Sequence, residues 1–270
     1  MDGTPLGERA VSELDAYLER PLAPVDPEMA AAVAAGPMDP AAALGLGNLD
    51  RLLDPTPIAV ETGWCTLDDG VGYVAVRTPM PHVRTEMVDW WFDWHPREPI
   101  RYRIWHPAAH RSNSVELPSV PGRKAHWGTV HHPVEDIGVG VVHARIAFKR
   151  PTELGMSVDE PDGATIVGGY AGDDRRRMQH TVMVHVFLKD GDGVLLRSRF
   201  WIGAAIRPFG PLAPLGRAMN NRLVRRAVIP ADVPRALATH CTEEYANLAA
   251  LLPELYERFG PASGQSPAAR

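Results

Sequence analysis

His240 and Glu244 stand four residues apart in the run His240-Cys241-Thr242-Glu243-Glu244, near the end of the chain. On an α-helix that spacing stacks the two side chains one turn apart on one side. An imidazole and a carboxylate converging from one helical turn offer two ligands to a divalent cation. The plainer alternative is a core histidine hydrogen-bonded to a glutamate. A helix is predicted over residues 234–252, with Asp232 able to cap it and Pro234 suited to its first turn. Leu237, Cys241, Leu248, Leu251 and Leu255 recur at threes and fours and mark its inward stripe. His240 and Glu244 fall on that stripe, where a carboxylate is costly unless paired or bound to a metal.

Further ligands must come from upstream. Candidates are His95, His106, His110, His126, His131, His132, Glu135 and His185, from a chain with 11 histidines. His110 is marked by its company, since Tyr102 and Asn113 fall near it at the end of one predicted strand. Glu135 lies between a histidine-rich loop and the glycine-punctuated Ile137-Gly138-Val139-Gly140. Two histidines and two carboxylates make a nitrogen and oxygen set suited to zinc, and iron(II) is the chemical rival. Spacing alone does not choose between His106 and His110.

The elements that must hold these residues can be read in order. Residues 8–19 carry Val11, Leu14 and Leu18 on one side of a short helix, and residues 29–35 suggest another. The Ala/Pro/Gly-rich stretch that follows reads as an arm packed on the main body or on a partner subunit. From residue 58 the character turns β-like, with runs at 58–65 and 72–76 around Asp68-Asp69-Gly70. Met87, Trp90, Trp91 and Trp94 predict a short helix with an aromatic face, whose plain role is packing and whose sharper one is lining a ligand pocket. Ile100, Tyr102 and Ile104 alternate with Arg101, Arg103 and Trp105, which predicts a strand over 100–105. More strands are expected over 139–148, 164–170, 178–189 and 194–206, with Asp190-Gly191-Asp192-Gly193 as a hairpin turn. Residues 208–214 read as a loop and 217–226 as a short helix. Many antiparallel strands before one long helix imply an α+β fold in which a curved sheet grips the helix around a cavity.

The bulk numbers bound the function. The chain has 270 residues, 45% of them hydrophobic and 23% charged, with net charge -5. That supports one large domain, or a domain with a small appendage. It gives no reason to expect a nucleic-acid partner; Arg175-Arg176-Arg177 reads as a solvated loop. Two cysteines, Cys65 and Cys241, build no disulfide framework, so a cytoplasmic location is expected. Neither a signal peptide nor a membrane span is expected.

Three motifs in order carry a resemblance over residues 58–256: Trp90-Trp91-Phe92-Asp93-Trp94-His95; Arg101-Tyr102-Arg103-Ile104-Trp105-His106-Pro107 with His110; and His240 with Glu244. Together they resemble the 2,4-diacetylphloroglucinol hydrolase family, to which phloretin hydrolase is related. The resemblance implies a Bet v 1-like helix-grip catalytic domain at 58–260 and a helical N-terminal arm at 1–57; from the sequence itself, 261–270 is expected to be a disordered tail. It implies a homodimer acting on a small aromatic acyl-polyphenol, hydrolysing the carbon–carbon bond between acyl group and ring with zinc (Zn2+). It places the metal on His110, Glu135, His240 and Glu244, with Glu153 as the alternative for Glu135. It makes Tyr102, Asn113 and His185 catalytic, and Trp91 and Phe200 part of the substrate pocket. Phe200 stands where the family has a tyrosine, which bears on the exact substrate more than on the reaction class. Rival functions are a metal-free carrier of a hydrophobic small molecule and a nonheme iron oxygenase.

Overall fold

A computed structural model describes residues 13–119 and 123–261. Ten strands form the sheet: β1 (Gly63–Thr66), β2 (Gly72–Met80), β3 (His110–Ser112), β4 (Val115–Glu116), β5 (Val130–His131), β6 (Val134–Asp136), β7 (Val141–Lys149), β8 (Ala164–Asp173), β9 (Met178–Asp190) and β10 (Gly193–Pro208). Their main order is β1-β2-β10-β9-β8-β7-β5-β4, while β6 pairs with β7 and β3 with β6, all antiparallel. The expected β9–β10 hairpin is present, with Asp190 opposite Gly193 and Gly191 at φ +58°.

The long C-terminal helix, Val233–Phe259, lies in the grip of this sheet. It outruns the predicted 234–252 because Leu255 and Phe259 continue the buried stripe through Pro253. Asp232 stands at its N-cap position, but its side chain makes no capping bond.

Side-chain alternation explains why the strands read as nearly continuous apolar runs. On β9, Met183 and Phe187 face the helix with Phe148, Val167 and Phe200, while Val182, Val184 and Val186 face the opposite layer. That outer layer is the N-terminal arm, whose Leu49 and Leu52 cover Tyr73, Ile166 and Trp201. Both faces are therefore buried, and successive residues alternate between two cores rather than between core and water.

The arm is fastened by buried polar groups. Arg197, 1% exposed, donates to the carbonyls of Leu52, Asp54 and Thr56 and to Glu61 at 2.7 Å. Trp201 Nε1 donates to the Leu44 carbonyl at 2.8 Å, and Trp64 Nε1 to the Val33 carbonyl at 2.9 Å. Replacing Arg197 with methionine removes the shared donor and strands several acceptors. Loss of about 3 kcal/mol is expected, or roughly 6–12 °C in Tm, because breaking a buried charged network leaves its partners uncompensated. An unchanged thermal midpoint would show that the arm is held by its leucines alone.

Four local expectations are corrected. Residues 100–105 are not a strand: Pro99–Arg103 is a short helix, started by Pro99 after extended Glu98. Proline at a first helical position is pre-set for the helix, and that outweighs the alternation. Of residues 58–65, only Gly63 to Cys65 join β1. The predicted helix over 217–226 is two pieces, Gly216–Met219 and Arg222–Val228, and residues 210–215 form a short 3-10 helix rather than an open loop. The first predicted helix is seen from residue 13 to 18, and its earlier part lies outside the described residues, as does the tail from 262.

On the tryptophan helix, Thr85–Trp94, Trp90 and Trp94 are packing residues. Trp90 stacks on Trp94 at 4.9 Å and meets Tyr256 edge-on, and Trp94 stacks on Phe259 at 5.5 Å. No helix among the described residues is long and apolar enough to cross a membrane.

Candidate metal centre

Three elements deliver the site. The C-terminal helix presents His240 and Glu244; the short pair β3–β6 sets His110 directly opposite Glu135. Ligand atoms of His110, Glu135 and His240 lie within 4.8 Å of one another. Glu244 Oε2 lies beside this group, 3.7 Å from His110 Nε2 and 3.8 Å from His240 Nε2. His110 Nε2 lies 3.6 Å from Glu135 Oε2.

The helix over Pro99–Arg103 sets the orientation of His110. Its chain then turns back so that His110 Nδ1 meets the Tyr102 carbonyl at 3.0 Å, and the two rings stack at 4.1 Å. The Nδ1 proton is donated to that carbonyl, which leaves the Nε2 lone pair facing the carboxylates. That Nε2 is buried and has no hydrogen-bond partner. Tyr102 also donates its hydroxyl to Glu135, and Trp105 Nε1 donates to the Glu244 carbonyl at 2.9 Å.

Burial sets the protonation. It brings His240 down to about 4 and holds His110 well below the usual histidine range, so both imidazoles are neutral lone-pair donors. Burial raises Glu244, and the charge of Glu135 beside it adds to the rise; burial raises Glu135 as well. Neutral imidazoles cannot compensate two largely buried carboxylates, and a divalent cation does. The orphaned Nε2, the paired carboxylates and the held tautomer together fit a metal with nitrogen and oxygen ligands.

The other expected residues divide into neighbours and outliers. His106 flanks the group and does not join it: its ring stacks on His240 at 5.2 Å, while Nδ1 accepts from Ala109 N–H and Nε2 meets Glu243 at 3.3 Å. Glu153 is exposed and caps its own short turn through the Arg150 N–H. Asn113 is buried three residues past His110 and bonds His131 Nδ1 at 3.4 Å, not the four-residue group. His185 lies further along the inner sheet face, with Nδ1 at 2.8 Å from Ser198 Oγ and its ring 5.3 Å from Phe200. Trp91 is fully buried between His95 and Trp105.

Trp105 and Tyr245 were not singled out from sequence. Their rings meet at 5.4 Å, with Trp105 at 5.5 Å from His110 and Tyr245 at 5.1 Å from His185. For Tyr245 the available signal was its place four residues after Cys241 and three before Leu248, on the inward stripe.

The chain is similar to known proteins over most of its length. The chain is 32% identical over 250 residues to phloretin hydrolase of Eubacterium ramulus, covering 89% of this chain and 88% of that protein. It is 30% identical over 226 residues to 2,4-diacetylphloroglucinol hydrolase of Pseudomonas protegens, covering 79% and 73%. Among solved structures it overlaps major latex-like protein 151 of Panax ginseng at 13% identity and a TM-score of 0.33, over 63% of this chain and 97% of that one. The family model described as the DAPG hydrolase PhiG domain matches residues 44–257. That match spans most of the chain, so the protein belongs to the DAPG hydrolase family.

Proposed function

We propose that this chain is a zinc-dependent hydrolase that cleaves the carbon–carbon bond between an acyl group and a phloroglucinol-type ring. The observation that carries the reading is the group of His110, Glu135 and His240, with Glu244 beside both imidazoles and the His110 Nε2 unpartnered, in a chain of this family. Zinc held there by two nitrogens and two carboxylates would supply Lewis-acid polarisation of a substrate oxygen.

The chain's own residues have distinct tasks. In the keto form of the ring the leaving carbon becomes an enolate carbon, so the bond can break as in a reverse Claisen step. Water contributes its hydroxyl to the acyl carbon, giving a carboxylic acid, and a proton to the ring carbon. Asn113 and His185 are assigned to the oxygens of the ring, with His185 held neutral because burial brings its pKa down to about 3. Trp91 and Phe200 form the apolar wall that excludes bulk water.

Tyr102 is assigned through Glu135, its hydrogen-bond acceptor. Removing such an outer partner typically costs about 10–100-fold in metal affinity or activity. Tyr102→Phe is expected to lose metal to a chelator at lower concentration than wild type, with a matching drop in turnover. Equal chelator resistance would mean that the hydroxyl does not hold Glu135 in its working position.

The reading includes a helix-grip catalytic domain at 58–260 behind an arm at 1–57, and a homodimer in the cytoplasm. Incubating the zinc-loaded protein with phloretin and with 2,4-diacetylphloroglucinol tests it. Release of the acid with the deacylated ring supports the proposal. Ligand recovered unchanged would leave the carrier reading, and oxygen uptake would move the assignment to an oxygenase.

A further inference from the structure

Tyr245 is a buried residue on the C-terminal helix, next to Glu244. The residue is 1% exposed, and among the described residues its hydroxyl makes no hydrogen bond. Buried tyrosines normally place that hydroxyl on an acceptor, and phenylalanine would fill the same apolar volume without leaving a donor unpaired. The hydroxyl is therefore not explained by packing.

Its position points to a partner. Tyr245 follows the proposed ligand Glu244 on the C-terminal helix and projects toward the inner sheet face, where it meets His185, Phe187 and Trp105 at ring distances of 5.1, 6.1 and 5.4 Å. Trp105 in turn touches His110 and bonds the Glu244 carbonyl. Tyr245 thus bridges the metal centre and His185, two parts of the site that share no direct contact. A flat aromatic molecule reaching from one to the other would lie along the Tyr245 ring. The surrounding rings suit an aromatic ligand, and a phenol suits an oxygen acceptor.

We propose that Tyr245 is a substrate-binding residue whose hydroxyl donates a hydrogen bond to an oxygen of the aromatic ketone. This rests on the acylphloroglucinol reading above. No described residue supplies that bond, so the hydroxyl acts only when ligand is present.

The test is Tyr245→Phe in the full-length, zinc-loaded protein, compared with wild type. Readouts are thermal midpoint, zinc content, kcat/KM on phloretin, and Kd for phloretin and for phloroglucinol by tryptophan quenching. The midpoint and zinc content are expected to stay unchanged, while Kd and kcat/KM worsen about tenfold, the scale of one lost hydrogen bond. Weaker phloroglucinol binding assigns the bond to a ring oxygen; a loss confined to phloretin assigns it to the ketone. A variant equal to wild type in Kd and kcat/KM overturns the inference and leaves the hydrolase reading standing. Loss of zinc in the variant also overturns it, since the hydroxyl would then be serving the metal centre. Wild-type protein that neither binds nor cleaves these compounds removes both.

Discussion

His240→Ala is expected to bind essentially no zinc and to lose at least about 10³-fold in turnover, because Lewis-acid stabilisation is worth several kcal/mol and each 1.4 kcal/mol is tenfold. Glu244→Gln should behave alike toward metal but differently toward stability. In the metal-free protein Glu244 is a buried acid whose ionisation is opposed by burial and by Glu135. A neutral amide of the same shape removes that conflict, so metal-free Glu244→Gln is expected to melt no lower than metal-free wild type at neutral pH. Metal analysis with paired thermal melts checks both statements. A variant of either kind that keeps stoichiometric zinc and full turnover would remove the residue from the ligand set.

Acid is expected to unfold the metal-free protein between pH about 6.5 and about 4. The cause is a group of buried histidines outside the metal centre. Burial brings His95 and His185 down to about 3 and His126 to about 4, and holds His131 well below the usual range. Their folded pKa values lie below the unfolded value, so the unfolded chain binds more protons in that window. Stability is complete above the unfolded pKa and is lost as pH falls toward the folded one. Each group contributes up to about 1.4 kcal/mol per pH unit, and four together rival a total stability of about 5–15 kcal/mol. Glu135 and Glu244, both raised, pull the other way but are only two. Circular dichroism against pH follows the transition. His126→Phe should move its midpoint to lower pH; a protein still folded at pH 4 would contradict the account.

The C-terminal helix and its His240–Glu244 pair were legible because helical period and a four-residue spacing are local properties. The β9–β10 hairpin was legible for the same reason, in its Asp-Gly-Asp-Gly turn. His110 and Glu135 were not legible from spacing. Their convergence depends on the register of β3 against β6, which places them opposite one another across 25 residues of chain. The family resemblance, not the local pattern, singled them out. His106 looked equivalent to His110, and only the backbone contacts of both rings separate them: Ala109 N–H engages Nδ1 of His106, while His110 Nδ1 donates and frees Nε2. At 100–105, six residues of alternation competed with the proline that starts a helix, and the proline prevailed. Tyr245 was hidden because an inward tyrosine on an apolar stripe reads as core until its hydroxyl is seen to lack a partner.

The most direct measurement is the fate of an acylphloroglucinol turned over by zinc-loaded protein in water enriched in heavy oxygen, followed by mass spectrometry. The account predicts one labelled oxygen in the released carboxylic acid, equimolar free ring carrying a proton at the cleaved carbon, and no oxygen consumption. An unlabelled acid, a ring that gains oxygen, or substrate returned intact would contradict it.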